Sequence, residues 1–491
     1  MKWKEKGCLS MNKTTKHYFT NLFKRKTKLL ALYTAVCFFA YPFLEIASLF
    51  ANRDASDLVE ITKTSFYLAL FVLGILSAVL PIFTFKFSHT KKHVDTYFSI
   101  PINRNHLFKS HFIAPILGAC IPILINYLIG GLILVIFKGN VIVYFELFAL
   151  LLLVFAMFVV NYCVNTFFVL NSNNVLDSSI IVGTIAILPL IFIGAIDAFI
   201  SSQIVYTGMF DAGSIIDRCF RLLSPYLGFT EIAHGIDVLT YYSDLNVNFG
   251  YINWMYVVYY FVIGFVFYFL SKKVFKKKKG ENAEQLTNAF VTYPLMINVG
   301  IISLVLMFNI IQMDLIGAIL MIIVLFVIYV IAQAIANRSM AINKKMILKF
   351  VLLVVIVNGF NYVSRKTEFF GINRQVIDYT KYDEVQIHYY SYSEKYGEDI
   401  EEKEYSYTIV VDNINEEEMK IFDLIKQFQE IRSVMFRETG QTWFENVYGS
   451  LRIEYVVKDG VKEYIEKTVY YDVTAKEETQ IMKIYMNLYE E

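Results

Sequence analysis

Charge is scarce along most of this 491-residue chain: Asp, Glu, Lys and Arg make up 18% of it, against roughly a quarter in soluble domains. The shortage is uneven. Residues 1–364 carry 29 Lys and Arg against 17 Asp and Glu, net +12, and residues 365–491 carry 16 against 27, net −11. The first body is too apolar to be soluble and the second too charged to lie in a membrane. Together they exclude a one-piece cytosolic enzyme, a disordered chain and a fibrous repeat. Cysteine is also sparse: Cys8, Cys37, Cys120, Cys163 and Cys219 show no CxxC spacing and leave the acidic tail without a thiol. Neither a zinc site nor a disulfide framework is indicated. No small-residue cleavage site follows the first apolar run, and the basic stretch up to Lys28 is too long for a secretory signal.

Catalytic signatures are missing as well. The chain has no GxxxxGK[ST] to cradle nucleotide phosphates, no HExxH and no GxSxG, and its seven histidines are scattered. The expectation is a non-catalytic chain that binds no cofactor of its own.

Apolar runs are what the chain has in abundance. A helix needs about 20 mainly apolar residues to cross about 30 Å of hydrocarbon. Nine stretches qualify: Leu29–Ala51, Ser65–Ser88, His111–Phe137, Val141–Leu170, Ser179–Ser201, Tyr251–Leu270, Pro294–Ile311, Leu315–Ala336 and Ile347–Val363. Cytoplasmic loops carry the excess of Lys and Arg. With the N-terminus inside, the cytoplasmic segments hold Lys24–Lys28, Lys86, Lys91, Lys92, Arg104, Lys109, Lys272–Lys279, Arg338, Lys344, Lys345 and Lys349. The opposite loops hold Arg53, Lys63, Lys138, Arg218 and Arg221. An odd number of crossings then leaves residues 365–491 outside. The fold class expected is a polytopic all-α membrane protein, N-in and C-out, with a small extracytoplasmic α+β domain.

The tail has the alternation and β-branched content of strands at Val385–Tyr392, Tyr405–Val411, Leu451–Val457 and Tyr464–Val473, with a hairpin turn at Lys458–Asp459–Gly460. Helical stripes occupy Glu416–Ile431 and Lys476–Tyr489. The predicted order is ββαββα, the pattern of a duplicated ββα unit.

Between the second and third spans lies the segment 89–109, HTKKHVDTYFSIPINRNHLFK. Its mixture of charge with Val94, Tyr97, Phe98 and Ile100 suits a short amphipathic helix at the membrane face, ended by Pro101. Asp95, Ser99, Pro101 and Arg104, followed by Leu107-Phe108, resemble the "D…SLPisR…lf" signature of permease subunits of ABC-2-type exporters of Gram-positive bacteria, with Ile100 for the usual Leu and Asn103 for a small hydroxyl residue. The resemblance implies that 89–109 is a coupling helix docking into a separate ATPase subunit through Asp95, Tyr97, Ser99, Pro101 and Arg104. It further implies that 13–28 is an elbow helix and 29–271 a six-span unit. ATP and Mg2+ would be bound by the partner ATPase, and a second permease copy or paralogue would complete a dimer. Tyr455–Lys462 and Tyr470–Val473 are similar to a hairpin in the tails of certain Gram-positive permeases that carry three further spans, here 294–364. The implied function is export of a substrate across the bacterial cell membrane.

Ionisable groups inside a membrane default to functional candidates. Glu45 and Asp197, with Asn126 and Asn161, form a candidate intramembrane polar site, although a carboxylate near a span end such as Glu45 can also reach headgroup water. Glu146 and Asn165 pose the same choice. Gly130–Gly131, Gly183 and Gly194 allow close helix approach. The outer loop 203–250 reads as interfacial helices, and the basic linker 272–293 as an anchor for anionic lipid rather than a nucleic-acid site. The alternative reading is a sensor or assembly protein whose outer domain binds a ligand without transport.

Overall fold

The computed structural model describes residues 13–24, 27–50, 55–138, 141–203, 222–229, 254–287, 291–311, 315–371, 379–392, 402–411, 418–427, 449–459 and 462–473, with a few isolated positions between them. Most of the outer loop 203–250, the turn at Gly460, all but Glu477, Gln480 and Ile481 of the helix expected at 476–489, and the Glu146 side chain lie outside the described residues.

The described residues are mostly helical. Helix α1 is Lys13–Lys24, the basic amphipathic segment expected ahead of the first span. That span is two helices, α2 (Thr27–Ala40) and α3 (Pro42–Phe50), where a single run was expected. Pro42 is the cause. It has no N–H to continue the α2 ladder but suits the first position of a new helix. Next come α4 (Ala55–Phe85), a 3₁₀ turn at Lys86–His89, α5 (Lys91–Phe98), α6 (Arg104–Lys138), α7 (Val141–Asn171), α8 (Val175–Gln203) and α9 (Trp254–Lys277). The last three helices before the tail are α10 (Tyr293–Phe308), α11 (Leu315–Asn337) and α12 (Lys344–Lys366).

Eight of these stretches are long and apolar enough to cross a membrane, from Lys28–Ala47 to Lys344–Lys366. The ninth expected span is shorter than the run suggested, with 16 helical residues in α10, about 24 Å at 1.5 Å per residue.

The chain divides into two compact units. The first comprises residues up to Leu190, Cys219–Val299 and Ile331–Met340. Its core runs through Phe66, Leu73, Phe85, Phe108, Leu150, Phe158, Tyr162, Tyr260 and Phe275, all fully buried. The central member is α7, of whose apolar window 67% is buried, against 11% for α11 and for α12. Apolar side chains left outward on such helices, for example Ile316 and Leu348, are what a lipid-facing surface requires.

The second unit contains Ile191–Arg218, Gly300–Val330 and everything from Ala341. Within it, Asn361 bonds Asn309 at 3.1 Å, Ser364 bonds Gln203 at 3.1 Å, and Phe350 packs on Phe326 and Tyr329. The tail is a four-stranded antiparallel sheet of β1 (Glu384–Tyr392), β2 (Glu402–Val410), β3 (Gly449–Asp459) and β4 (Lys462–Val473), in the order β2-β1-β3-β4. Register puts Val385 opposite Tyr455 and Ile409, and Ile387 opposite Ile453 and Tyr407, so one face is apolar. Residues 418–427 are helical and cover that face with Phe422 and Ile425. Two hairpins joined through β1 and β3 match the expected ββαββ part of the order.

Candidate coupling surface and its brace

Helix α5 buries Val94 and half-buries Tyr97 and Phe98, so these side chains anchor it and its remaining positions are exposed. Its C-terminus is closed locally. The Ser99 N–H donates to the Asp95 carbonyl at 3.0 Å, the Ser99 hydroxyl donates to the Thr96 carbonyl at 2.9 Å, and Pro101 prevents continuation. Tyr97 turns inward and stacks on Phe87, with ring centroids 4.3 Å apart. Lys91, Lys92, Asp95, Thr96, Ser99, Pro101 and Asn103 are exposed, forming a polar outer face.

Arg104 plays a different part from the other residues of the motif. Its guanidinium lies 4.2 Å from the Phe98 ring centroid and donates to the Lys276 and Lys278 carbonyls at 2.8 and 3.3 Å. It ties the start of α6, just after α5, to the C-terminus of α9, where the bare carbonyls of a helix end welcome a cation. The segment after α9 supplies the other side of the brace. Gly280 sits so close to α5 that a Cβ there would lie 2.9 Å from Asp95 Oδ1, and the Lys91 N–H donates to Glu284 Oε1 at 3.3 Å.

The linker expected as a lipid anchor is thus partly a structural joint. Lys278 is buried, and its ammonium donates to the Leu170 and Ser172 carbonyls at 2.8 and 2.5 Å, capping the end of α7. Burial pushes its pKa down to about 7. The Ser178 hydroxyl contacts both the Ser172 hydroxyl and His89 Nε2, the latter at 3.1 Å. Further on, the Glu284 N–H donates to the Asn173 carbonyl at 2.9 Å, and the Asn173 N–H donates to Thr287 Oγ1 at 3.0 Å.

The joint ends on Asp177, a buried carboxylate in the first turn of α8, where the helix dipole favours negative charge. It accepts from the Thr287 hydroxyl at 2.8 Å, the Tyr293 hydroxyl at 3.0 Å and Arg338 at 3.5 Å. Sequence reasoning missed Asp177, Thr287, Lys278 and Arg338 as a group. Their partners are more than 100 positions away, and the one local signal was an acid at the start of a span.

The intramembrane candidates do not form one site. Glu45, a candidate that could also have reached headgroup water, is fully buried and packs against Gly130 of α6. There the Thr62 hydroxyl donates to it at 3.4 Å, and a Cβ on Gly130 would lie 2.4 Å from Tyr41 Cε1 and 2.8 Å from Glu45 Oε2. Asn126, one turn from Gly130 on α6, donates to the Thr34 and Pro122 carbonyls at 3.0 and 2.8 Å. Asn161 donates to the Met157 and Pro225 carbonyls, both at 3.1 Å, and Asn165 donates to the Ser77 carbonyl at 3.0 Å. These amides fasten backbone to backbone, the modest interhelical bonding expected in lipid. Asp197 is half-buried on α8. Of the glycines singled out, Gly130 does permit close approach, whereas a Cβ at Gly183 or Gly194 would meet nothing within 4 Å. Among the described residues, no three His, Cys, Asp or Glu are grouped to hold a metal ion. No family model, curated protein or solved structure matches the chain.

Proposed function

We propose that this chain is the membrane-spanning subunit of an ATP-binding-cassette exporter in a bacterial cell membrane, and that α5 receives the stroke of a separate cytoplasmic ATPase. The observation that carries the reading is the build of α5: a polar outer face on a short helix that is rigidly braced behind. A docking helix needs both properties, since a contact that yields transmits no force. The path inward runs from α5 through Arg104, Gly280 and Glu284 to the linker, and from there to the ends of α7 and α8. ATP and Mg2+ belong to the ATPase; this chain supplies two arrangements of its spans whose balance the nucleotide state shifts. A second copy or a paralogue completes the pathway.

Sidedness is supported by the joint. Thr287 and Arg338 both reach the carboxylate of Asp177, so the stretch between them leaves one face of the membrane and returns to it. Helix α11, with 23 residues, is about 34 Å long and makes one crossing. The other falls to α10, whose deficit against about 30 Å is met by local thinning or flanking residues. Nine crossings with the basic loops inside leave the sheet domain outside the cell.

The test is a photo-crosslinking residue at Thr96 in intact cells. Covalent capture of a P-loop ATPase, lost when Asp95→Lys and Ser99→Lys are added, supports the proposal. Crosslinks to lipid or to other proteins alone would reject it and favour a sensor that signals without a motor.

A further inference from the structure

A cavity of about 620 Å³ opens where α1, α2, α4, α5 and α6 meet. Its two ends differ in chemistry. Leu76 and Leu80 of α4 with Ala119 and the bare backbone of Gly118 on α6 make an apolar wall. At the other end stand Lys86, His93, Tyr97 and His111, the last held by Tyr18 through a 2.8 Å hydrogen bond. Among the described residues, no carboxylate lines the cavity.

The dimensions select a ligand. Leu76 and Lys86 are ten positions apart along α4 and its terminal turn, about 15 Å of helix, which is half of a hydrocarbon core of about 30 Å. Lys86 lies at the end of the second span and Leu30 at the start of the first, so the polar end is at headgroup level and the apolar end reaches mid-bilayer. The rim is open on the bundle surface, where Leu29 and Phe83 are 67% and 69% exposed. A site one leaflet deep, apolar within and cationic at its mouth, is complementary to an anionic amphiphile.

We propose that this cavity holds one anionic phospholipid from the leaflet on the side of the coupling helix, with its acyl chains against Leu76, Leu80 and Gly118 and its phosphate at Lys86 and His93. Leu22 and Phe23 of α1 and Tyr97 of α5 line the same space, so the bound lipid joins the amphipathic helix to the coupling helix. The inference goes beyond the exporter reading and stands whether or not an ATPase docks on α5.

The experiment is native mass spectrometry of the full purified chain in detergent, titrated with phosphatidylglycerol or phosphatidylcholine of identical acyl chains. Each cation near the headgroup favours the anionic lipid about fivefold, so phosphatidylglycerol should be retained at least that much more tightly. Lys86→Glu should abolish the preference. Gly118→Leu, which intrudes on the apolar end of the cavity without changing charge, should weaken retention of both lipids alike; a Cβ there meets Leu30 Cδ1 at an ordinary 3.9 Å. Lys349→Glu, exposed and outside both the cavity and the basic linker, should behave as wild type, and millimolar inorganic phosphate should not displace the adduct. Equal retention of the two lipids, full retention in Gly118→Leu, or the same loss in Lys349→Glu as in Lys86→Glu would overturn the proposal. Displacement by phosphate would reduce the site to a phosphate site and overturn its lipid assignment.

Discussion

Replacing Asp177 by alanine probes the joint most sharply, because its three partners differ in burial. The Thr287 and Tyr293 residues are 2% and 6% exposed, so losing their acceptor strands two hydroxyls away from water. An orphaned buried donor costs about 1–3 kcal/mol, which makes the pair worth about 2–6 kcal/mol, less the relief from no longer burying a carboxylate. The Arg338 side chain, by contrast, is 44% exposed, and an ion pair of that kind contributes about 0–1 kcal/mol. Asp177→Ala should therefore destabilise the chain by about 2–5 kcal/mol, and Arg338→Ala by less than about 1 kcal/mol. Asp177→Asn should fall between them, because its amide keeps one acceptor oxygen but presents N–H groups to a donor. Unfolding in mixed detergent measures the three variants. Hydrogen exchange of residues 284–287 and 293–297 should rise in Asp177→Ala and stay near wild type in Arg338→Ala. Equal effects of the two alanine variants, or a cost under about 1 kcal/mol for Asp177→Ala, would refute the reasoning that buried hydroxyls rather than the ion pair hold the joint.

Other perturbations follow from the same contacts. Gly130→Val forces a side chain into Tyr41 and Glu45 and should cost at least about 1–3 kcal/mol, whereas Gly183→Ala enters open space and should be neutral or slightly stabilising in thermal melts. Lys278 has a folded pKa of about 7, below the roughly 10.4 of an unfolded lysine, so the unfolded chain holds more protons between those values. Stability should rise with pH across that window and fall as pH drops toward 7, and the wild-type melting point should gain on that of Lys278→Met between pH 6 and 9. Arg104→Ala should raise hydrogen exchange across 91–99 with little change in global melting, and Arg104→Lys should not restore it, since an ammonium cannot both stack on Phe98 and reach two carbonyls.

The spans and tail strands were legible because each depends on local pattern. Long apolar runs marked the membrane helices, basic amphipathicity marked α1, and alternation at Val385, Ile387 and Tyr389 marked the sheet. The short α5 ending before Pro101 was visible for the same reason. Pro42 was in plain view, yet the burial of Glu45 depends on where α3 points, which hydropathy does not encode. The brace was hidden for a stronger reason. Asp177 meets Thr287 and Arg338 across 110 and 161 positions, and such polar pairings leave no periodic trace. Charge counting likewise read Lys278 with its neighbours as a surface run, although burial separates it from them.

The exporter reading proposed above rests on nine crossings, with α5 and the joint inside and the sheet domain outside. The direct measurement is labelling of single cysteines at the exposed positions Thr96, Ser339 and Thr408, in a background lacking the five native thiols, with a membrane-impermeant maleimide. Thr408→Cys should react in intact cells, and Thr96→Cys and Ser339→Cys only after permeabilisation. Labelling of Ser339→Cys in intact cells, or protection of Thr408→Cys, would contradict the account.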